Sequence, residues 1–126
     1  LLGDIGDTHS FPILKEKNID LTKLNSYEDK KTYKYYFLEP FKTGTVGLNY
    51  KDDNLTYLIH FEPEKIPYVG IWITTGGFKG EYNVAIEPTN GFYDSLKIAY
   101  ENNKFQTVNR NSEKSWSISL ELLENR

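Results

Sequence analysis

Several residue types on which common functional sites depend are absent or scarce in this chain. Its 126 residues include no cysteine, which excludes disulfide bonds and thiolate metal ligands. The two histidines, His9 and His60, are too few for a histidine-rich metal site, and their neighbours supply no metal-ligand spacing. We therefore expect no bound metal.

Charge and hydropathy exclude further classes of partner. The formal net charge is −3, so the chain has no general attraction for nucleic acid or for an anionic lipid surface. No run of about 18 apolar residues occurs, so we expect no membrane-spanning segment. The lack of cysteine is compatible with the cytoplasm or with an exported location, and we predict the cytoplasm.

Familiar cofactor and nucleophile motifs are missing as well. The glycine-rich stretch at residues 76–80 lacks the Lys-Ser/Thr pair of a phosphate-binding loop, and no long helix is predicted after it. No Gly-x-Ser-x-Gly elbow is present. We therefore predict no cofactor. Methionine is also absent, even at position 1, and we expect a processed product, a recombinant segment or a fragment.

Aromatic residues are abundant, at 15% of the chain with ten tyrosines, and together with frequent turn residues they favour β structure. Asp94 to Tyr100 is the clearest helical turn, with Asp94 as its expected N-cap, and a second turn is expected near residues 19–24. We predict an all-β antiparallel sandwich with at most one or two short helical turns, in a single domain over residues 1–126. Apolar alternation or a continuous apolar run predicts strands over residues 31–38, 45–50, 55–61, 68–75, 82–87, 105–108 and 115–122.

Two of these segments carry specific expectations. Residues 51–54 tolerate left-handed backbone, so the strands on either side of them should form a hairpin. In the last strand, alternation predicts that Trp116, Ile118, Leu120 and Leu122 point into the core.

Glu87 is the most interesting carboxylate. It is predicted to end the strand at residues 82–87, on the face that it shares with Asn83 and Ala85, because Pro88 forces the chain out of regular pairing. A carboxylate at a strand end, beside small residues, leaves room for a ligand. The alternative is a solvated surface charge.

Trp72 and His60 are the other candidates. If Gly70 shares a face with Trp72, the glycine opens space beside an indole on which the apolar face of a sugar can dock. Trp72 can instead be a core residue. His60 shares its strand face with Thr56 and Leu58, where it can reach a cleft or serve only the sheet.

The order of short motifs from Ile66 to Leu122 resembles that of galactose mutarotase-like proteins, the aldose 1-epimerase family. The matching features are the run Ile66 to Ile73, a glycine-rich loop, the run Tyr82 to Gly91, Asp94-Ser95-Leu96, and Trp116 at the start of a last strand. The resemblance implies a β-sandwich cleft that binds an aldose, as part of the family's larger supersandwich. It assigns Glu87 as the catalytic residue and Trp72, Asn83, Asp94 and His60 as substrate-binding residues.

The implied reaction is the interconversion of sugar anomers. A glutamate takes the proton from the anomeric hydroxyl while a histidine protonates the ring oxygen, and the opened ring recloses as the other anomer. Neither His9 nor His60 matches the family's acid histidine, and members are usually at least twice as long. We therefore expect this chain to be the C-terminal half of a longer protein.

The sequence is compatible with three functions. They are an aldose 1-epimerase-like enzyme that is complete only with its other half, a non-catalytic carbohydrate-binding sandwich, and a structural or interaction sandwich. The expected partner is a monosaccharide or a sugar derivative, with no nucleic acid and no membrane. Because a half-fold leaves sheet edges unpaired, we also expect an oligomer, or the missing N-terminal half, to pair them.

Overall fold

The computed structural model describes residues 2–24 and 26–125. Most of the elements in these ranges are strands, joined by one six-residue α-helix and two single 3₁₀ turns, Lys15–Lys17 and Tyr27–Asp29. None of the described helices is long and apolar enough to cross a membrane. The strands are β1 (Ile13–Leu14), β2 (Ile19–Asp20), β3 (Lys31–Tyr36), β4 (Thr45–Tyr50), β5 (Leu55–Phe61), β6 (Tyr68–Thr75), β7 (Tyr82–Thr89) and β8 (Ile118–Glu124), and the helix is α1 (Leu96–Glu101).

The predicted fold class is confirmed, since the described strands form three antiparallel sheets in an all-β, sandwich-like fold. Strands β1 and β2 form a small ribbon. The second sheet has the order β3-β6-β7 and the third has the order β4-β5-β8. Residues 19–24 were expected to form a helical turn, but Ile19 pairs with Leu14 in the ribbon. That prediction is wrong, because Asn18 adopts left-handed backbone and reverses the chain into β2.

The chain divides into two compact units, one made of Leu1–Tyr35 and Ile71–Ala85, the other of Tyr36–Gly70 and Ile86–Arg126. The core of the first unit is built on Leu21, Tyr33 and Ile73, which are buried and pack together. In the second unit the buried apolar side chains are Ile59, Phe61, Ile66, Tyr68, Val69, Phe92 and Ala99.

The hairpin predicted around residues 51–54 is confirmed. Thr45 pairs with His60 at one end and Tyr50 pairs with Leu55 at the other, with a continuous register between them. Asn54 has a φ of 55°, the left-handed conformation that short polar turn residues tolerate.

The last strand departs from its prediction. It begins at Ile118 and ends at Glu124, and all seven of its residues are exposed. The side chains predicted to point inward are exposed by 47% at Trp116, 45% at Ile118, and 64% at both Leu120 and Leu122. The alternation is present, but β8 lies at the edge of its sheet and no described part of the chain covers its apolar face.

Residues 105–108 were predicted to form a strand, and the structure has no regular element there. The ring of Phe105 packs instead against that of Tyr100 in α1, with a centroid distance of 5.3 Å. The apolar side chain that suggested a strand packs against the helix instead.

Candidate functional site

Tyr36 lies directly over Gly70 in the second unit. The backbone N–H of Phe37 donates to the carbonyl oxygen of Val69 at 3.2 Å, which continues the antiparallel pairing past the end of β3 and sets Tyr36 opposite Gly70. A Cβ at Gly70 would lie 2.7 Å from Cε1 of Tyr36. The space that Gly70 was predicted to open for a ligand beside Trp72 is therefore filled by a protein ring, and that prediction is wrong.

Four aromatic rings and one carboxylate gather around this position, and we call them the aromatic–carboxylate cluster. Tyr36 contacts Tyr93 at a centroid distance of 5.1 Å and Phe92, edge to face, at 6.0 Å. Tyr68 meets Phe92 edge to face at 5.9 Å. Phe92 and Tyr68 are buried, Tyr36 and Tyr93 are half-buried, and Asp94 is exposed. The cluster thus has a buried floor and an accessible rim.

A hydrogen bond fixes the carboxylate at the rim. The hydroxyl of Tyr36 donates to Oδ1 of Asp94. Asp94 was predicted to cap α1, and that prediction is wrong, because the cap is Ser95, whose Oγ accepts from the N–H of Ile98 at 3.3 Å. Tyr93 has a φ of 70°, a left-handed conformation that is costly for a bulky residue. Such a conformation persists only where its surroundings hold it, as they commonly do at ligand sites.

A lysine closes one side of the cluster. The N–H of Phe92 donates to the carbonyl oxygen of Lys104 at 3.0 Å, and Nζ of Lys104 lies 4.8 Å from the centroid of the Phe92 ring. The same Nζ donates to the carbonyl oxygen of Leu38. The ammonium group is therefore held by the protein over an aromatic face.

Tyr68 forms the floor as a neutral group. Burial, followed by the negative charge of Glu39, raises the pKa of the Tyr68 hydroxyl above its usual value of 10.0. The hydroxyl thus keeps its proton throughout the physiological range.

Glu87 is half-buried in β7 and belongs to the same unit as the cluster. The strand was predicted to end at Glu87, but it continues through Pro88 to Thr89, so the prediction of a strand-end carboxylate is wrong. Proline is tolerated at Pro88 because β7 is the edge strand of the β3-β6-β7 sheet. Glu87 is therefore an internal residue of the strand rather than its last residue.

Trp72 and Asn83 belong to the other unit. Trp72 is half-buried and meets the ring of Phe78 edge to face, with a centroid distance of 5.4 Å. Asn83 is exposed near the start of β7. We therefore describe these two residues in their own unit and do not place them in the cluster.

His60 occupies the polar face of the β4-β5-β8 sheet. Its Nδ1 lies 3.1 Å from Oγ1 of Thr45, and its Nε2 lies 2.9 Å from Oε2 of Glu121. Thr45 lies directly opposite His60 on β4, whereas Glu121 reaches it diagonally from β8, where Ser119 is the direct partner of His60. These two neighbours hold the imidazole ring in one orientation.

Sequence reasoning missed Tyr36, Tyr93 and the partners of His60. The run Phe92-Tyr93-Asp94 was a usable signal, because it concentrates two rings and a carboxylate directly after Gly91. The partner Tyr36 could be found only from the β3–β6 register, which no local pattern encodes. Within residues 2–24 and 26–125, the structure has no group of three or more acidic or histidine side chains able to hold a metal ion.

Comparison with known proteins gives no relative: no family model, no curated protein and no solved structure matches this chain.

Proposed function

We propose that this chain is a carbohydrate-binding domain and that the aromatic–carboxylate cluster holds a monosaccharide. The observation that carries the proposal is the bond from the Tyr36 hydroxyl to Asp94, which fixes an exposed carboxylate beside the half-buried ring of Tyr93. Sugars present apolar C–H faces and hydroxyl groups together, so an aromatic face next to a fixed acceptor matches both.

The chemistry of Asp94 supports this assignment. An ionised carboxylate offers about four lone-pair sites, so it can accept from Tyr36 and also from a sugar hydroxyl. Charge-assisted hydrogen bonds of this kind are stronger than neutral ones. The ring of Tyr93 provides the apolar surface, and its backbone conformation is already set before a ligand arrives.

The sign of the exposed charge indicates the sugar class. Asp94 is exposed, whereas Lys104 is half-buried and its ammonium group lies against Phe92 and Leu38. A phosphate would therefore meet a carboxylate at the rim, and like charges in close contact repel. We propose an unphosphorylated aldose as the ligand.

Anomer interconversion of the aldose 1-epimerase type is the second candidate. It is favoured by the half-buried carboxylate of Glu87, which lies in the same unit as the cluster and can act as the general base. His60 is held by Thr45 and Glu121 and does not match the family's acid histidine, so we expect another segment to supply the acid.

The cytoplasmic location expected from the sequence remains part of this proposal, and cell fractionation tests it.

Binding is tested by titrating the chain with D-galactose and D-glucose while recording amide NMR spectra. We expect the amide signals of Gly91, Tyr93 and Asp94 to shift with a dissociation constant in the millimolar range. Tyr93→Ala should weaken binding at least tenfold. Tyr100→Ala is the matched control, because Tyr100 is 70% exposed in α1 and is not one of the cluster rings. A dissociation constant in the millimolar range means that about 100 mM sugar should nearly saturate the site. If the cluster signals do not shift at that concentration of either sugar, the assignment is refuted.

Catalysis is tested separately by polarimetry with α-D-galactose. Glu87→Gln should reduce the rate by about 10²–10⁴, the usual range for the loss of a general base. A variant with near wild-type mutarotation removes the catalytic candidate and leaves the binding proposal intact. The two outcomes are distinguishable because one measures optical rotation and the other measures amide shifts.

A further inference from the structure

We propose that the outer edge of β8 pairs with β8 of a second copy of this chain, joining two β4-β5-β8 sheets across a two-fold axis. β8 lies at one edge of its sheet, with β5 as its neighbour. An edge strand presents a row of backbone donors and acceptors to any strand that fits. The proposal is independent of the carbohydrate-binding assignment.

The hydrogen-bonding register identifies which backbone groups face outward. The N–H of Asn125 donates to the carbonyl oxygen of Asn54 at 2.7 Å, so this pair is a hydrogen-bonded one. Hydrogen-bonded pairs alternate along an antiparallel ladder, and the β5–β8 register is continuous. The backbone groups of Ile118, Leu120 and Leu122 therefore point away from β5, towards the open edge.

The same three residues carry exposed apolar side chains. Ile118 is exposed by 45%, and Leu120 and Leu122 are each exposed by 64%. Their cross-strand partners are Phe61, Ile59 and Tyr57, so they lie on the apolar face of the sheet. The three residues whose backbone groups point to the open edge are therefore also the ones whose apolar side chains are exposed.

β8 lacks several of the features that normally protect an edge, and its only charged residues are Glu121 and Glu124. Proteins protect edges with charged side chains, especially lysine, and with proline or bulges. The sequence from Ile118 to Glu124 contains no proline and no basic residue, and its pairing with β5 has no bulge. The other edge strand, β4, contains Gly47 and Asn49, both poor strand formers.

The position of Glu121 favours one register for the pairing of the two β8 strands. If Leu120 lies opposite Leu120 of the partner, Ile118 meets the partner's Leu122 and Ser119 meets the partner's Glu121. If Glu121 lay on the two-fold axis, two carboxylates would face each other at the closest Cα spacing of an antiparallel pair, about 4.5 Å. A one-residue slip would place apolar side chains on the polar face. The register centred on Leu120 avoids both faults.

The area involved is appropriate for a reversible dimer. The apolar surface at this edge is that of the three exposed β8 side chains, because Tyr50 lies on β4 at the opposite edge of the sheet. A standard interface buries about 800 Å² per partner, so apolar contact together with a new backbone ladder accounts for association of moderate strength.

Sedimentation equilibrium over a concentration series tests the stoichiometry. The wild-type chain should reach the mass of two chains and stop there, because a two-fold pair closes. Leu120→Lys places like charges opposite each other and should raise the dissociation constant at least tenfold. Ser119→Lys adds the same charge but faces the partner's Glu121, so it should leave the constant unchanged or lower it. A single-chain mass at every concentration, or equal effects of the two lysines, overturns the proposal.

Cysteine substitution tests the register directly, because the chain has no other thiol. Under mild oxidation Leu120→Cys should form a disulfide between copies, since the two Cα atoms of a hydrogen-bonded pair lie about 5.5 Å apart. Leu122→Cys should not, because the two cysteines would be separated by about 14 Å, four residues along a strand. Crosslinking at 122 but not at 120, or at neither, contradicts the assignment. Circular dichroism verifies that each variant is folded.

Discussion

The hydroxyl of Tyr36, at the end of β3, donates a hydrogen bond to the carboxylate of Asp94, 58 residues further along the chain. This bond joins the strand to the loop that leads into α1, and it fixes the position of Asp94 at the rim of the aromatic–carboxylate cluster. The geometry of the candidate site therefore includes a side-chain hydrogen bond between two segments that are far apart in the sequence.

Tyr36→Phe removes that contact and retains the ring over Gly70. We expect the free energy of unfolding to fall by about 1 kcal/mol, the typical net value of a hydrogen bond. Affinity for the sugar should fall about tenfold, because a carboxylate that is no longer fixed must be ordered on binding. Urea unfolding and sugar titration measure the two effects.

Tyr35→Phe is the matched control for this variant. The hydroxyl of Tyr35 donates to the carbonyl oxygen of Leu21 at 2.8 Å in the other unit, so its loss should also reduce stability. Sugar affinity should be unaffected. Equal losses of affinity in the two variants would show that the bond from Tyr36 to Asp94 has no specific role in binding.

Gly70→Ala tests the packing of Tyr36. The new methyl group would lie 2.7 Å from Cε1 of the ring, so either the ring or the strand must move. Overpacking of this kind costs about 1–3 kcal/mol, and we expect that loss in urea unfolding. Sugar binding should weaken at the same time, because the displaced ring no longer reaches Asp94.

The corresponding control is Gly91→Ala. No atom lies within 4 Å of a Cβ at Gly91, and its φ lies outside the left-handed range. The substitution should change stability by less than about 0.5 kcal/mol, as is usual at unconstrained surface positions. A large loss at Gly91, or none at Gly70, would contradict the packing described for the cluster.

The parts of the fold that the sequence predicts are those that local chemistry determines. Strands β4 and β5 have the predicted bounds because alternation and a turn of polar residues act within a few positions of each other. The continuous apolar run that forms β6 likewise gives its bounds directly.

The remaining features depend on contacts between segments that are distant in the sequence. Alternation in β8 shows that its two faces differ, but it does not reveal whether anything covers the apolar one, and Leu120 is exposed. Pro88 was expected to end a strand, yet an edge position removes the need for its N–H. The pairing of Tyr36 with Asp94 likewise depends on sheet register, which no short motif specifies. The assignment of Glu87 as a catalytic base, which comes from family resemblance, stays a prediction.

Asp20 provides a pH-dependent test of the first unit. The hydroxyl of Thr22 donates to Oδ1 of Asp20 at 2.6 Å, the N–H of Thr22 donates to the same oxygen at 3.0 Å, and Nζ of Lys23 lies 2.9 Å from Oδ2. The Thr22 hydroxyl first, and then Lys23, lower the pKa of Asp20 from 3.8 to about 2. A lowered pKa means that the folded state favours the ionised form. The resulting stabilisation is complete above pH 3.8 and disappears as the pH falls through about 2.

Thr22→Val removes the hydroxyl and preserves the backbone N–H. The pKa of Asp20 should rise towards 3.8, and the acid-dependent loss of stability between pH 4 and 2 should become shallower, because less stabilisation remains to be lost. Lys23→Gln should produce a smaller rise, and Thr22→Ser should restore the low value. Carbon-detected NMR titration of the Asp20 carboxylate measures each pKa. An unchanged pKa in Thr22→Val, with a large rise in Lys23→Gln, would mean that the ammonium group rather than the hydroxyl controls this carboxylate.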